Sequence, residues 1–253
     1  MKTGLIQYDP EWENKNQNKD KLTWLISNNY EKQELLVFPE MTLTGFTMKA
    51  SDFAEDLKGE SFTFFSEMAL KYSIHIIAGI IEKEEKKYFN SLLHVNPEGK
   101  LVKTYRKIHP FSYSTEDKHY TKGEEISVTK INDFTAGLSI CYDLRFPELY
   151  RLYAKKKAEV LIVIANWPDT RIEHWRALLK ARAIENQCYV LGVNRVGNDP
   201  KLKYPGLSSI VDPMGVEIAS ALSEEKIITA DILKEKVDEV RNNLPFLNDI
   251  TLI

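Results

Sequence analysis

Cys141 lies between the apolar run Gly137-Leu138-Ser139-Ile140, which reads as a short buried strand, and Pro147, which suits the first turn of a helix continuing through Leu149, Leu152 and Tyr153. A thiol on such a strand-to-helix turn is held out of the sheet, close to backbone N–H groups able to receive an oxyanion. A lone cysteine more often serves as a small buried hydrophobe, so the thiol needs company before it counts. A cysteine nucleophile requires a base, a stabiliser of developing negative charge and a group that assists the leaving group. Glu40 closes an apolar stretch directly after Pro39, where a carboxylate can be partly desolvated and its proton affinity raised. Lys107 stands at the corresponding place after another strand. Alone, each would ordinarily be a solvated strand-end charge. Three strand ends delivering acid, amine and thiol is a rarer combination, because sites are assembled at strand termini on one edge of a sheet.

The elements that position these groups follow from the hydrophobic pattern. Strands are predicted at 2–8, 35–38, 74–81, 88–95, 101–105, 126–129, 136–140, 159–165 and 188–193, with three shorter ones at 208–211, 216–219 and 227–230. Helices are predicted at 12–28, 62–72, 147–157, 172–186 and 234–243, and the charged run 82–87 reads as a turn. Asn96-Pro97-Glu98-Gly99 and Asp212-Pro213-Met214-Gly215 are hairpin turns. The loop 107–123 is long for a compact domain and carries aromatics, which favours a functional role. Helices alternate with strands while hairpins interrupt them. Two mixed sheets face to face with helices outside use all these elements better than one doubly wound parallel sheet.

With 253 residues, 43% hydrophobic and 28% charged, the chain has the composition of an ordinary globular protein, and no repeat or linker divides it. Residues 1–253 are therefore read as a single domain. A net charge of -3 gives no reason to expect nucleic acid, and Lys155, Lys156 and Lys157 read as solvated helix-end charges. Two cysteines cannot make a disulfide framework, the first residues lack a signal-peptide core, and the apolar run 160–165 is too short to cross a bilayer. A cytoplasmic protein with no membrane role is the expectation.

Leu36-Val37-Phe38-Pro39-Glu40, Tyr105-Arg106-Lys107-Ile108-His109 and Cys141-Tyr142-Asp143-Leu144-Arg145-Phe146-Pro147-Glu148 resemble the three signature segments of the carbon-nitrogen hydrolase, or nitrilase, superfamily. The resemblance continues through Ala165-Asn166-Trp167-Pro168, the run Ala181-Arg182-Ala183-Ile184-Glu185-Asn186-Gln187 and the Asp212–Gly215 turn, so it covers nearly the whole chain. It implies an α/β fold, the four-layer αββα sandwich of two mixed sheets flanked by helices, associated as a homodimer or higher homo-oligomer. It also implies a triad of Glu40 as general base, Lys107 as cationic stabiliser and Cys141 as nucleophile. A further family glutamate maps onto Glu116, where it would position Lys107 and the substrate. His109 is followed by Pro110 where many relatives carry leucine, which bears on the local path of the loop.

Cys141-Tyr142-Asp143 resembles the amidase branches rather than the nitrilases with Cys-Trp-Glu, and within them it looks most like the omega-amidases. The resemblance implies release of ammonia from small omega-amides such as 2-oxoglutaramate or 2-oxosuccinamate through a cysteine thioester, with a small-molecule amide and water as partners and no cofactor. It places Arg145 at a position suited to binding the substrate, and Tyr142, Trp167 and Arg171 are further candidates for contact with it. Arg145 is the first candidate to grip a substrate carboxylate by a bidentate contact and Arg171 the second. An N-carbamoyl amino acid amidohydrolase is the alternative within the same chemistry. An inactive binding or scaffold member is the alternative outside it, disfavoured by three intact triad positions. A papain-like pairing would need His109 or His174 beside Cys141. No Cys/His spacing suits zinc, and Pro147 occupies the place where a cysteine phosphatase needs arginine. Cys188 reads as core.

Overall fold

A computed structural model describes residues 1–252; the single-domain expectation extends to Ile253, which lies outside the described residues. Strands β1 (Lys2–Gln7), β2 (Leu35–Val37), β3 (His75–Glu84), β4 (Lys87–Val95) and β5 (Leu101–Arg106) belong to one sheet, and β6 (Val128–Ile131), β7 (Phe134–Ile140), β8 (Val160–Ala165) and β9 (Tyr189–Asn194) to another. Strands β10 (Val196–Asn198) and β11 (Lys203–Pro205) form a separate hairpin. Strands β12 (Ser209–Val211) and β13 (Glu217–Ser220) complete the second sheet, and β14 (Lys226–Asp231) returns to the first. The strand orders are β14-β1-β2-β3-β4-β5 and β13-β12-β9-β8-β7-β6. In each sheet the central strands are parallel, β1-β2-β3 and β7-β8-β9, with antiparallel neighbours outside them.

Both faces of the central strands are apolar, and alternation sorts them into layers. Leu35, Val37, Ile162 and Ile164 meet between the sheets, together with Leu138, Ile140 and Leu191. Leu36 and Phe38 point outward, against Leu22, Leu25 and Ile26 of α1 (Lys15–Asn29). Past the short α2 (Ala50–Phe53), α3 (Glu60–Tyr72) adds Phe65, Met68 and Ala69 to this layer. On the other sheet Leu161 and Val163 pack on Leu149 and Tyr153 of α4 (Pro147–Lys155) and on Trp175 and Leu179 of α5 (Ile172–Asn186). The last helix, α6 (Lys234–Asn243), adds Val237 to the inter-sheet core. This is the four-layer αββα sandwich with two mixed sheets expected from the sequence. Among the described residues no helix is long and apolar enough to cross a membrane.

Two local readings change. Strand β3 runs on to Glu84, because Glu82 is buried rather than part of a turn, its carboxylate bonded by Arg106 Nε at 3.0 Å and Ser91 Oγ at 2.5 Å. The β10–β11 hairpin was not anticipated, since Asn198-Asp199-Pro200 reads as loop. Cys188 is core, as expected.

His75 and His94 form a seam between the sheets. His75 Nδ1 lies 2.9 Å from His94 Nε2, His94 Nδ1 lies 2.7 Å from Thr129 Oγ1 on β6, and His75 Nε2 lies 3.1 Å from Asn132 Oδ1. Because the Asn132 amide nitrogen donates to Glu34, its oxygen accepts from His75 Nε2. His75 Nδ1 then accepts from His94 Nε2, and His94 Nδ1 accepts the Thr129 proton. Each ring is thus fixed as one neutral tautomer. Burial pushes His94 down to about 3, with His75 adding to the effect. In the unfolded chain His94 binds its proton near 6.5, so acidification from 6.5 toward 3 favours unfolding. Between pH 6.5 and 5, urea midpoints should show the wild type losing up to about 1.4 kcal/mol per pH unit more than His94→Asn. Parallel slopes would remove His94 as the titrating group.

Candidate active site

The parallel strands of both sheets deliver their C-terminal ends to one region. Past β2, Phe38 N–H still bonds Ile77 C=O at 2.8 Å, and the backbone then lies flat on β3. A Cβ at Gly79 would stand 2.5 Å from Met41 N and 2.8 Å from Glu40 Cα, so only glycine allows the Glu40 turn to rest there. Thr42 N–H bonds Gly79 C=O at 2.9 Å and clamps the turn. Lys107 continues the β4–β5 ladder, its N–H bonding Asn90 C=O at 2.9 Å, and its own carbonyl accepts from Gly123 N–H at 2.7 Å, closing the loop that carries Glu116. Cys141 sits at φ 48°, between β7 and a 3-10 turn spanning Cys141–Arg145. A left-handed non-glycine residue at a strand end is the strained elbow that lifts a nucleophile clear of the sheet.

Lys107 Nζ donates to Glu40 Oε1 at 2.9 Å, to Glu116 Oε2 at 2.9 Å and to Glu116 Oε1 at 3.2 Å. Asn90 Nδ2 donates to the same Glu40 Oε1 at 2.7 Å and to Glu116 Oε1 at 2.8 Å. Asn166, just past β8, donates its N–H to Glu40 Oε2 at 2.9 Å and its Nδ2 to Glu40 C=O at 2.7 Å, with a longer contact to Oε2 at 3.3 Å. The Cys141 thiol donates to the carbonyl of Asn166 at 3.9 Å. One residue thereby touches both the carboxylate and the sulfur.

Burial alone would pull the Lys107 ammonium down, but the carboxylates of Glu116 and Glu40 outweigh it and hold the amine well above its ordinary value. Burial and Glu40 raise Glu116, against the pull of Lys107 and the N–H donors of Asn90 and Phe111. Cys141 is pushed well up by burial and Glu40 despite Lys107, so it rests as a neutral thiol that must lose its proton to act.

The thiol opens into a cavity of about 390 Å³, walled by Phe46, Tyr142, Arg145, Trp167, Arg171 and Tyr204. All four residues placed at the substrate by sequence are among them. Arg145 lies over the Trp167 ring at 4.9 Å with Nη2 3.2 Å from His174 Nδ1, and Arg171 lies over Phe111 at 5.3 Å. Neither is paired with a carboxylate among the described residues. Trp167 is also structural, donating Nε1–H to Arg171 C=O at 2.8 Å. Tyr142 packs between Phe111 at 4.8 Å and Phe146 at 5.1 Å. The papain-like pairing is not formed: His109 bonds Asp143 and stacks on Phe146, while His174 meets Arg145. Among the described residues no group of three His, Cys, Asp or Glu side chains could hold a metal ion.

Sequence reasoning passed over Asn90, Asp143 and the amide of Asn166. Asn90 shares the inward register of Leu92, but Ser91 and His94 in the same strand are polar as well, so nothing in the sequence set Asn90 apart. Asp143 is fully buried and accepts from Tyr105 OH at 2.7 Å, Ile140 N–H at 3.0 Å, and the His109 N–H and Nδ1 at 3.0 and 2.7 Å. It ties the residue before the thiol to the segment after Lys107.

Residues 2–242 match the family model for carbon-nitrogen hydrolases. The chain is 34% identical over 247 residues to the 2-oxoglutaramate amidase of Bacillus subtilis (strain 168), covering 97% of this chain and 95% of the relative. It is 35% identical over 207 residues to the omega-amidase NIT2 of Mus musculus, covering 78% and 75%. A crystal structure of a CN-hydrolase superfamily protein from Xanthomonas campestris, with an arsenic adduct in its active site, superposes with a TM-score of 0.94 at 29% identity, covering 100% of this chain and 98% of the other.

Proposed function

Because the chain belongs to the carbon-nitrogen hydrolase family and is a hydrolase acting on amides, we propose that it releases ammonia from the terminal amide of small omega-amides such as 2-oxoglutaramate or 2-oxosuccinamate, through a cysteine thioester. The observation that carries this reading is the buried set of Glu40, Lys107 and Glu116 beside a thiol that opens into a cavity with two arginines free of carboxylates. A substrate with an amide at one end and a carboxylate at the other fits that arrangement, and relatives named for 2-oxoglutaramate support it.

Glu40 takes the thiol proton. Its oxygens already receive Lys107, Asn90 and two donors of Asn166, and the 3.3 Å contact from Asn166 Nδ2 is the weakest, so that lone pair is the one to open. The sulfur attacks the amide carbon, and Lys107 with the Tyr142 N–H holds the oxyanion. Protonated Glu40 gives its proton to departing ammonia, leaving the thioester, and water activated by Glu40 hydrolyses it. Glu116 keeps the ammonium aimed at the reacting centre. We further place the chain, as one domain, in the cytoplasm as a homodimer or higher homo-oligomer. Two free cysteines suit a reducing compartment, and exposed Ile184 and Val216 suit a second copy.

The test is ammonia release from a panel of omega-amides, neutral amides, N-carbamoyl amino acids and nitriles. Omega-amides should give the highest kcat/KM; preferred release of carbon dioxide from carbamoyl substrates would overturn the reading. Arg145→Ala should raise KM for a dicarboxylic monoamide about 10- to 100-fold and leave a neutral amide nearly unchanged, as expected for loss of a charge-assisted contact. Equal effects on both would remove Arg145 as the carboxylate's partner.

A further inference from the structure

Three residues of the site touch Asn90, and two of them do so through its side chain. Its Nδ2 bonds Glu40 Oε1 and Glu116 Oε1, the same two oxygens that receive Lys107 Nζ, while its backbone carbonyl receives the Lys107 N–H. Two nitrogens and two carboxylate oxygens therefore close a four-atom diamond. The amide orientation is forced, because both neighbours are carboxylates that accept and cannot donate. The remaining oxygen, Asn90 Oδ1, is buried without a partner. A buried acceptor left unpaired is destabilising and calls for an explanation in the site it serves.

We infer that Asn90 is a positioning residue of the amidase reaction, an uncharged clamp that holds the Glu40 and Glu116 carboxylates at fixed separation around the Lys107 ammonium. The inference rests on the proposed roles of Glu40, Lys107 and Cys141. The charge balance explains why an amide stands here. One ammonium faces two carboxylates, and the repulsion between them needs further N–H donors. A second lysine would neutralise the pair and compete with Lys107 for Glu40. Asparagine donates to both carboxylates, adds no charge and takes no proton from the reaction. The titratable groups facing this diamond are Lys107 after β5, Glu40 after β2, Glu116 in the loop, the Tyr120 hydroxyl and the Cys141 thiol.

Two near-isosteric variants test it with 2-oxoglutaramate as substrate. Asn90→Leu should lower kcat about 100-fold with KM changed less than about 3-fold, since misplacement of reacting groups by an ångström has that effect. Asn90→Asp replaces both donors by a carboxylate at neutral pH. As pH falls the introduced carboxyl takes up a proton and can donate one of the two lost bonds, so the ratio of variant to wild-type kcat should rise on acidification. A ratio flat with pH, or a kcat within about 3-fold of wild type in Asn90→Asp, would overturn the inference, and the pH arm reads out even if Asn90→Leu fails to fold. Cys141→Ala is assayed in parallel. If it is silent while Asn90→Asp behaves as wild type, the clamp falls and the thiol mechanism stands. If Cys141→Ala turns over, the mechanism falls and takes the clamp with it.

Discussion

Cys141→Ala is expected to lose amide hydrolysis by a factor on the order of 10⁴ or more while remaining folded. The loss of activity follows from the proposed mechanism, in which the Cys141 sulfur forms the thioester. The retained stability follows from local structure. The thiol borders the cavity, and its hydrogen bond is the weak 3.9 Å contact with the Asn166 carbonyl. Backbone strain at φ 48° is common to both residues, because alanine and cysteine each carry a Cβ, so the elbow is neither relieved nor worsened. The expected change in unfolding free energy is below about 1.5 kcal/mol. Ammonia release and thermal melting on the same preparation check both halves. Retained turnover would remove Cys141 as nucleophile, whereas a collapsed melting curve would make the activity loss uninformative.

The elbow also explains why Asp143 matters to the geometry. Its carboxylate meets four donors, two from His109, one from Tyr105 and one from Ile140. Ile140 immediately precedes the thiol in the second sheet, and Tyr105 and His109 flank Lys107 in the first sheet and the loop that follows it. A carboxylate with all its accepting positions filled needs no counter-ion, and it holds the two sheets in register where the proposed chemistry takes place.

Much of this was legible in the sequence, and the divide has a physical basis. Strand ends at Glu40 and Cys141 could be read because apolar runs stop abruptly there, and the bounds read for helix Ile172–Asn186 match those observed. The convergence of Glu116 on Lys107 rested on family resemblance, since a loop glutamate carries no periodic signal, and the structure places it fully buried against the ammonium. Buried polar partners escaped altogether. Asn90 and Asp143 are ordinary polar letters in sequence, and only tertiary contacts between elements tens of residues apart turn them into donors and acceptors of the site. The Glu82 misreading has the same origin: a charge inside a charged run looks solvated until Arg106, from another strand, is brought beside it.

Lys107→Met should be the most destabilising single change at the site, and its pH dependence should reveal why. The lysine side chain is buried between two carboxylates that are themselves shielded from solvent. Methionine fills similar space but leaves Glu40 and Glu116 without their cation, and removing one partner of a buried ionic network typically costs about 3 to 5 kcal/mol. Glu116 is already raised by burial and by Glu40, and Lys107 is the largest influence opposing them. Without the ammonium, the folded state of the variant should bind a proton at a higher pH than an ordinary glutamate of the unfolded chain. Its stability therefore rises as pH falls through the raised folded value, and the gain is complete once the pH is below the ordinary glutamate range. Urea midpoints should show the gap between wild type and variant narrowing from pH 8 to 5; a gap independent of pH would mean that the carboxylates are not held by this amine. Adding Glu116→Gln removes one of the two repelling charges and should restore most of the lost stability. It should not restore ammonia release, because in the proposed mechanism the oxyanion still lacks its cation, a loss of about 10²- to 10³-fold in kcat. Recovery of fold without recovery of rate would separate what Lys107 does for the packed site from what it does for the reaction.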